Sequence, residues 1–568
     1  MNNSKKFPDF PLSLVLLAAM TVLMAVLAPY RLAFKEQTGI FAWTPERISW
    51  YISNPAVISQ ILGDWLTQFY MNSVAAVVIS VLLLKMVWSA TVRLTRLACG
   101  RPRYILSMLP VVMAGAFLVW PDYPVAGVVG MILSLRSAYT VAKVSNPVLK
   151  AVCIGLGIPV LFVLLGNNAL LFGLACCLAG GGRLRNNLMA LAAGLAVMFI
   201  LAWFYNLTFV KALVYPAPVG AGYLVCRPAL LMLIPLSVVA TLVASRWNNR
   251  KAAELVWTFC CVAVLSTSYS DKLIEFSTKV GTLAYRSDWK AVRECASEHL
   301  DIRYGLFYRN LSYAREGTLP DNLLSCPQTP DGLFLETTTQ DLYLSLFFYP
   351  DALLEMGDIS RATDCALFGQ TVMPGYNSTR MLRRLAEIAV TAGDYEVAMK
   401  YLDILSRTRN HRAWADELKG RIISNDIPDK YLVWRGRASE TDFFFPLGND
   451  MMPLVGITAN RRSNKVAADY LLCYLLLQKR ISTFRAYYDD LWLDGLDRRY
   501  EVPELYQQAL LLEADSQESL ELMVERYNIS GKVVERYFEF MEAVEKAGEG
   551  NMEGLEQFKG TYWYQLCL

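Results

Sequence analysis

The residues best suited to chemistry lie in two short polar segments beside long apolar runs. The first segment, "YRLAFKEQTG", follows the first apolar run and contains Arg31, Lys35 and Glu36. The second, "WPDYP", places Asp122 in a very short connection between two further apolar runs. A carboxylate at such a place can deprotonate an acceptor, or hold a metal ion or a leaving group. Glu36 and Asp122 are therefore the candidate catalytic residues of this chain.

Each of these carboxylates also has a plain structural interpretation. Glu36 can be a solvated partner of a neighbouring cation, and Asp122 stands between prolines, where an aspartate favours a tight turn. Cations on the same side would match the oxygens of a lipid phosphate. One of them, Arg227, follows a Pro- and Gly-rich loop, "YPAPVGAGYLVCRP", that could fold over a site. The candidate substrate-binding residues are Arg31, Lys35, Lys211 and Arg227.

The composition indicates a membrane half followed by a soluble half. Hydrophobic residues make up 54% of the 568 residues and charged residues 18%, with a mean hydropathy of +0.30. Few acidic residues precede position 270. We therefore expect a polytopic transmembrane domain at 1–269, with an extracytoplasmic first loop at 30–69, and an extracytoplasmic helical-repeat domain at 270–568. The net charge of only +3 argues against a nucleic-acid partner.

Apolar runs predict about nine membrane-spanning helices, since about 20 residues are needed to cross a bilayer. Lys and Arg cluster in alternate loops, which places the amino terminus in the cytoplasm and the carboxy-terminal domain outside it. The first run lacks a small-residue cleavage site, which favours an anchor over a removed signal peptide. The predicted spans are 12–29, 70–88, 104–120, 125–141, 147–165, 169–181, 188–209, 229–244 and 253–268.

The first outside loop combines helical periodicity with aromatic residues suited to the interface between lipid and water. Apolar residues between 48 and 69 recur at helical spacing, and Trp43, Trp50 and Trp65 accompany them. Pro55 should divide the segment into two short helices on the outer surface. These helices could be a simple surface anchor, or a platform that holds Glu36 close to lipid headgroups.

The soluble half is predicted to be helical throughout and to contain a repeat. The segments "LLEMGDISRATDCALF" and "AVTAGDYEVAMKYLDIL" share Gly-Asp followed by Ala, and Gly357 and Gly393 are 36 residues apart. That spacing is close to the roughly 34-residue period of tetratricopeptide (TPR) repeats. The glycine would end one helix, and the alanine would let the next helix pack closely. The region is therefore predicted to be TPR-like, with a surface for a protein partner.

Histidine and cysteine usage narrows the chemistry further. The chain has two histidines and twelve scattered cysteines that lack the spacing of metal ligands. A Ser-His-Asp triad and a histidine-rich zinc site are therefore not expected. The cofactor stays unknown at this stage, and a divalent metal ion held by the outside carboxylates is one candidate.

The layout resembles that of the polytopic glycosyltransferases of the GT-C class. The shared features are a cytoplasmic amino terminus, a long first extracytoplasmic loop and an extracytoplasmic soluble domain. A carboxylate just after the first span and an acidic residue between the third and fourth spans also match. The resemblance implies a polyprenyl-phosphate-linked sugar donor at the membrane, with Glu36 as the acid of the first loop and Asp122 as the second acid. The Asp-Glu or Asp-X-Asp motif of that class is absent at both Glu36 and Asp122.

The chain is also similar to an uncharacterised group of bacterial inner-membrane proteins with a carboxy-terminal TPR-like region. The similarity lies in "EQ" after the first span, "TQF" before the second, and the repeat region "RRLAEIAVTAGDYEVAMKYLDILSRT". It implies a multi-pass protein of the inner membrane. Two functions stay open: glycosyl transfer from a lipid-linked donor, and a non-enzymatic scaffold whose TPR-like domain recruits envelope proteins. A transporter is less favoured because the spans contain few acidic residues.

Overall fold

A computed structural model describes most of the chain. In the part that it describes, the chain forms helices and no β-strand. The all-α expectation is therefore confirmed for these residues. The described residues are 9–180, 184–219, 223–224, 226–247, 250–269, 271–335, 342–373, 378–441, 451–493, 496, 500–514, 516–547 and 554–567.

The helices of the first half include all the long apolar ones. They are α1 (Asp9–Leu27), α2 (Pro29–Gln37), α3 (Pro45–Ile52), α4 (Val57–Thr67), α5 (Ser73–Cys99), α6 (Met108–Leu118), α7 (Val125–Ala142), α8 (Pro147–Leu165), α9 (Asn168–Ala179), α10 (Leu184–Phe204), α11 (Phe209–Val214), α12 (Pro228–Leu231), α13 (Leu233–Ala244), α14 (Arg250–Tyr269) and α15 (Lys272–Tyr285).

The helices of the second half are mostly shorter and more polar, and two short 3₁₀ segments and one π-helical segment (Asp489–Leu493) lie among them. The α-helices are α16 (Trp289–Ser297), α17 (Arg303–Glu316), α18 (Leu319–Leu323), α19 (Leu342–Met356), α20 (Ile359–Thr371), α21 (Thr379–Ala392), α22 (Tyr395–Ser406), α23 (Arg412–Ile423), α24 (Asp429–Arg437), α25 (Met451–Asn460), α26 (Lys465–Leu477), α27 (Ile481–Tyr488), α28 (Glu504–Leu511), α29 (Gln517–Tyr527), α30 (Gly531–Ala547) and α31 (Tyr562–Cys567).

The chain folds into two compact units. Unit 1 consists of Met1–Lys279, Phe368–Arg383 and Lys400–Gly420. Unit 2 consists of Val280–Leu367, Arg384–Met399 and Arg421–Leu568. Unit 1 therefore contains the apolar helices together with two stretches from much later in the chain, and these two stretches contribute to the site described below.

The number of spans was predicted too high. Among the described residues, five helices are long and apolar enough to cross a membrane by length and composition, not the expected count of about nine. These five helices indicate a membrane protein. Four further apolar helices are shorter, namely Met108–Leu118, Asn168–Ala179, Pro228–Ala244 and Glu254–Ser268. The five candidate spans are Phe10–Leu27, Ser73–Cys99, Val125–Ala142, Pro147–Leu165 and Leu184–Phe204.

The backbone explains why some apolar segments fall short of a span. Helix α6 begins only at Met108, because an irregular segment with Arg101 and Arg103 and a turn at 104–107 precede it. Helix α9 ends at Ala179, and its 12 residues extend about 18 Å, against about 30 Å for the hydrocarbon core of a bilayer. The apolar content that predicted these spans does not reveal where a helix begins and ends.

The first loop forms two short helices, as Pro55 predicted. Helix α3 begins after Thr44, whose hydroxyl accepts a hydrogen bond from a backbone N–H of the first turn at 3.2 Å. Helix α4 follows the break at Pro55. Large apolar side chains of this segment stay exposed: Trp43 is 65% exposed, Ile52 65% and Trp65 44%. Such exposure suits the predicted contact with the interface between lipid and water.

Helix α4 packs closely on helix α7 because the contact residue is glycine. A Cβ atom at Gly63 would lie 2.6 Å from the Cα atom of Ala126, which is far inside van der Waals contact. Helix α7 is also the most buried of the candidate spans, with 67% of its apolar window inside the protein. The first loop is therefore fixed against the span that directly follows Asp122.

Two Gly-Asp turns in unit 2 have the same geometry. Gly357 and Gly393 adopt left-handed conformations, with φ angles of 81° and 89°. The carboxylates of Asp358 and Asp394 each accept a hydrogen bond, at 3.1 Å, from the backbone N–H three residues later. The alanine four residues after each aspartate is fully buried. Each turn therefore joins two helices in the way expected from the sequence, whereas the assignment to the TPR class stays a prediction.

Buried ion pairs also connect the helices of unit 2. Arg384 of α21 lies 2.7 Å from Asp351 of α19 and also pairs with Glu387. Glu387 in turn lies 3.0 Å from Lys430 of α24. The Lys430 side chain is 45% exposed, so the buried-pair argument applies to Arg384 with Asp351 and Glu387: breaking either pair would leave a desolvated charge.

Candidate functional site

Glu36 lies on helix α2, which is held in place at both ends. At its start, the carboxylate of Glu275 accepts hydrogen bonds from the backbone N–H groups of Tyr30 (2.9 Å) and Arg31 (3.0 Å), and so caps the helix from a distant segment. Burial raises the pKa of this carboxyl, and the bonds to the two N–H groups oppose that shift. At its end, the hydroxyl of Thr38 donates to the carbonyl of Lys35 at 3.0 Å.

The last carbonyl groups of α2 are hydrogen-bonded by the start of helix α21. The Thr379 hydroxyl donates to the carbonyl of Glu36 at 2.8 Å, and the Ser378 hydroxyl donates to the carbonyl of Gln37 at 2.7 Å. A guanidinium nitrogen of Arg380 also donates to the Gln37 side chain at 2.9 Å. The end of α2, which would otherwise leave carbonyl groups unsatisfied, is therefore fixed within unit 1.

The carboxylate of Glu36 has two specific partners from residues that are far away in the sequence. Its Oε1 atom accepts a hydrogen bond from Asn410 Nδ2 at 2.9 Å and lies 3.1 Å from His411 Nε2. Asn410 also donates to the carbonyl of Gln68 at 2.8 Å, which orients its amide. Glu36 is 5% exposed and His411 2%. When this carboxylate is ionised it only accepts hydrogen bonds, and the Nε2–H tautomer of His411 is then the donor.

Glu36 lines a small cavity of about 20 Å³, which is room for about one water molecule. Asp64 and Arg409 also line it. Asp64 accepts hydrogen bonds from Arg47 Nη2 at 2.8 Å and from the Tyr51 hydroxyl at 2.7 Å. Burial raises the pKa of Asp64, and the Arg47 guanidinium opposes that shift.

A larger cavity, of about 330 Å³, lies beside the small one. Ile40 lines both cavities, and Arg47 of the larger cavity is bonded to Asp64 of the smaller one. Its volume falls within the range of about 300–1,000 Å³ that is usual for small-molecule sites. The residues that line it are Ile40, Ala42, Thr44, Glu46, Arg47, Trp50, Asp403, Ile404 and Arg407.

Asp122 lies in a different environment from Glu36. It is 4% exposed, and its Oδ2 atom accepts a hydrogen bond from the backbone N–H of Cys226 at 3.1 Å. Lys35, on α2, donates to the carbonyls of Trp120 and Tyr123 at 2.5 Å each. Burial lowers the pKa of Lys35 to about 8, and the nearby Asp122 opposes that shift. The structure therefore brings Lys35 to the turn of Asp122, whereas Glu36 bonds to the pair Asn410 and His411.

The other candidate cations are placed differently from one another. Arg31 is fully buried and donates to the carbonyls of Ser268 at 3.3 Å and Asp271 at 3.1 Å. Lys211 and Arg227 are exposed, the first on α11 and the second directly before α12. Residues 220–222 and 225 of the loop before Arg227 lie outside the described residues, so its predicted closure over a site is not tested.

His411 is the functional candidate that the sequence did not reveal. It stands in "SRTRNHRAW", in a turn between two helices, 375 residues from Glu36. The one available signal was that the chain has only two histidines. The contact depends on tertiary structure alone, so spacing along the chain gives no indication of it.

The candidate metal cofactor has no suitable ligand set in the part of the chain that the structure describes. No group of three or more His, Cys, Asp or Glu side chains is arranged there to hold a metal ion. Glu36 and Asp122 each have hydrogen-bond donors as partners.

The comparisons with known proteins identify a family. A model described as "Family of unknown function (DUF6057)" matches residues 5–567, which is nearly the whole chain. No curated protein and no solved structure matches the chain. The similarity to an uncharacterised family is therefore confirmed, and the chain belongs to the family of unknown function DUF6057.

Proposed function

We propose that this protein is a membrane-bound glycosyltransferase that takes its sugar from a polyprenyl-phosphate-linked donor, with Glu36 as the general base. The observation that carries the proposal is the buried pair of Glu36 and His411 at the edge of a cavity. Glu36 lines the cavity and lies on the short helix that directly follows the first candidate span, and His411 contacts it from a distant turn. A carboxylate that is buried, oriented and close to a membrane surface meets the requirements of a base for a lipid-linked substrate.

The proposed reaction is a single displacement. An acceptor hydroxyl gives its proton to Glu36 while its oxygen forms a bond to the anomeric carbon of the donor sugar. The bond between that carbon and the phosphate oxygen breaks, and the polyprenyl phosphate leaves with the electron pair. Asn410 and His411 hold the carboxylate by donating to Oε1. General base catalysis of this kind contributes about 10²–10⁴ to a rate.

The leaving phosphate requires nearby positive charge, and Arg409 is the cation that lines the Glu36 cavity. Arg31 and Lys35 were expected to serve here, but both donate to backbone carbonyls. In this proposal Arg31 and Lys35 position helix α2, and Arg409 binds the phosphate group of the leaving polyprenyl phosphate. Lys211 and Arg227, both exposed, are available to a donor that approaches from the membrane surface. The extracytoplasmic side and the inner membrane, both expected from the sequence, are part of the proposal.

The experiment is a turnover assay with the purified full chain in lipid nanodiscs. A synthetic short-chain polyprenyl-phosphate-linked hexose is the probe donor, and mass spectrometry measures the release of polyprenyl phosphate. Glu36→Gln should lower the release rate by about 100-fold or more, since it removes the base but keeps the shape of the side chain. Glu298→Gln, at an exposed carboxylate, is the matched control and should not change the rate. Equal rates for wild type and Glu36→Gln would exclude the proposal.

The same turnover assay, together with the melting temperature, tests the role of Asp122. The GT-C resemblance implies that Asp122 is a catalytic residue. Asp122→Asn should lower the melting temperature if the residue mainly fixes its turn through Cys226. A large loss of turnover at an unchanged melting temperature would assign Asp122 to the chemistry.

A scaffold whose helical region recruits envelope proteins is the second candidate function. The two equivalent Gly-Asp turns of unit 2 favour it, because TPR-like helix pairs commonly bind proteins. Exposed apolar side chains on α24, Leu432 (44%) and Val433 (50%), offer a contact surface. In cells that depend on this protein, a scaffold should tolerate Glu36→Gln but lose function on Leu432→Ser combined with Val433→Ser. An enzyme should show the opposite pattern.

A further inference from the structure

Three exposed cations lie close together where helices α5 and α7 end. Arg93 and Arg96 stand in the last two turns of α5, and Lys143 directly follows the last residue of α7. All three lie close enough to the Tyr139 side chain of α7 for an electrostatic interaction, and the Lys143 ammonium is 4.3 Å from its ring centre. Because α5 and α7 also pack on each other, these three side chains form one basic patch.

Helices α5 to α13 contain no acidic residue that could neutralise this basic patch. Between Asp64 and Glu254, the sequence contains a single acidic residue, Asp122. It precedes the start of α7, whereas the patch lies at the end of that helix, about 27 Å further along its axis. Glu254 belongs to α14, which packs on α6 and α1. The carbonyl ends of α5 and α7 together amount to about one negative charge, so three cations leave the patch positive.

The exposed face of α5 shows where the patch meets a bilayer. Val78 (52% exposed) and Leu82 (53%) share this face with Arg93 and Arg96, and Lys85 adds a positive charge between the two pairs. With 27 residues, α5 is about 40 Å long, against about 30 Å for the hydrocarbon core of a bilayer. That core takes up about 20 residues counted from the start of the helix, so both arginines lie past it, at the level of the headgroups.

An anionic phospholipid fits these observations. Guanidinium groups only donate hydrogen bonds, and they match the oxygens of a phosphate group. Clusters of Lys and Arg at the ends of spanning helices bind anionic headgroups. The exposed apolar side chains of α5 that precede the arginines offer a surface to the acyl chains of such a lipid, which a soluble phosphate would not use.

We propose that the basic patch binds the headgroup of an anionic membrane phospholipid. Arg93 and Arg96 bind its phosphate oxygens, and Lys143 supplies the third positive charge. The acyl chains lie along the exposed face of α5, at Val78 and Leu82. The bound lipid joins the ends of α5 and α7 at one surface of the bilayer. The inference does not depend on the proposed glycosyl transfer.

The test measures lipid binding to the purified full chain in detergent by native mass spectrometry. Dimyristoyl phosphatidylglycerol is the anionic probe. Dimyristoyl phosphatidylcholine, which has the same acyl chains and no net charge, is the reference lipid. The wild type should bind phosphatidylglycerol at least about tenfold more tightly than phosphatidylcholine, because each cation near an anionic headgroup strengthens binding about fivefold.

Variants of the patch show which residues cause this preference. Arg93→Gln, Arg96→Gln and Lys143→Gln should each lower the preference for phosphatidylglycerol about fivefold, and the triple variant should lose it. Because the three side chains are exposed, the melting temperature of these variants should stay unchanged. Arg462→Gln, at an exposed arginine of unit 2, is the matched control and should keep the wild-type preference.

Glycerol 3-phosphate, added as a competitor, separates the lipid from a soluble phosphate. A preference that depends on the three cations and resists millimolar glycerol 3-phosphate supports the proposal. Displacement of phosphatidylglycerol by millimolar glycerol 3-phosphate, with the same dependence on the cations, overturns the lipid as occupant. Equal binding of the two lipids by the wild type overturns the site itself, and so does a preference that persists in the triple variant.

Discussion

Glu36 Oε1 and His411 Nε2 lie 3.1 Å apart, although 375 residues separate them in the chain. Both side chains are buried, and Asn410 donates to the same oxygen. The contact joins the helix that follows the first candidate span to a turn from the second half of the sequence, within unit 1. It explains how a carboxylate beside a membrane span can be fixed in orientation, and it is the basis of the proposed catalytic role.

The Glu36–His411 pair should contribute measurably to stability. Removing the imidazole in His411→Ala leaves a buried carboxylate with one donor fewer, which costs about 1–3 kcal/mol. His411→Gln retains an N–H donor and should lose less. Thermal unfolding of the full chain in detergent measures both variants. A His411→Ala variant as stable as the wild type would show that the Glu36–His411 contact does not contribute to the free energy of unfolding.

Lys35 should give the protein a distinctive pH dependence. Burial lowers the pKa of Lys35 to about 8, below its value of about 10.4 in an unfolded chain. Between these two values the unfolded chain binds more protons than the folded one, so the free energy of unfolding rises with pH in this window. The rise amounts to about 3 kcal/mol when Lys35 is considered alone.

Comparison with Lys35→Met isolates this effect from other titrating groups. Methionine carries no charge, so the gain in melting temperature between pH 8 and pH 10 should be smaller in the variant than in the wild type. Parallel pH profiles for the two proteins would contradict the placement of Lys35 in a buried site next to Asp122.

The two Gly-Asp turns of unit 2 should differ in their tolerance of a side chain. Alanine in a left-handed conformation costs about 1–2 kcal/mol, and Gly393→Ala should lose about this much because the nearest atom to its new Cβ lies 3.5 Å away. At Gly357 the new Cβ would lie 2.4 Å from the carbonyl oxygen of Arg437, which adds overpacking of about 1–3 kcal/mol. In chemical denaturation, the free energy of unfolding of Gly357→Ala should be lower than that of Gly393→Ala. The reverse order would contradict the close approach of Gly357 to the Arg437 carbonyl.

The sequence predicted the local structure that depends on neighbouring residues. Pro55 divides the first loop into α3 and α4, because proline cannot donate within a helix. The glycines at 357 and 393 end their helices in left-handed turns, as their position before aspartate indicated. Among the described residues, apolar content also located the five candidate spans and the four shorter apolar helices of the first half, although it overestimated how many of them are long enough to span.

The site could be predicted only in part, for a physical reason. Glu36 was identified because it directly follows the first span, which is a local feature. Its partners Asn410 and His411 lie on a late stretch that folds into unit 1, and no periodicity encodes such a contact. The burial of Arg31 and Lys35 was missed for the same reason, since their acceptors are backbone carbonyls of other segments.

The most direct test of the proposed function is the rate of transfer in single-turnover reactions with Glu36→Gln. The account predicts that Glu36→Gln binds the probe donor as the wild type does, but releases polyprenyl phosphate at least about 100-fold more slowly at an unchanged melting temperature. A Glu36→Gln protein that folds and releases polyprenyl phosphate at the wild-type rate would contradict the account.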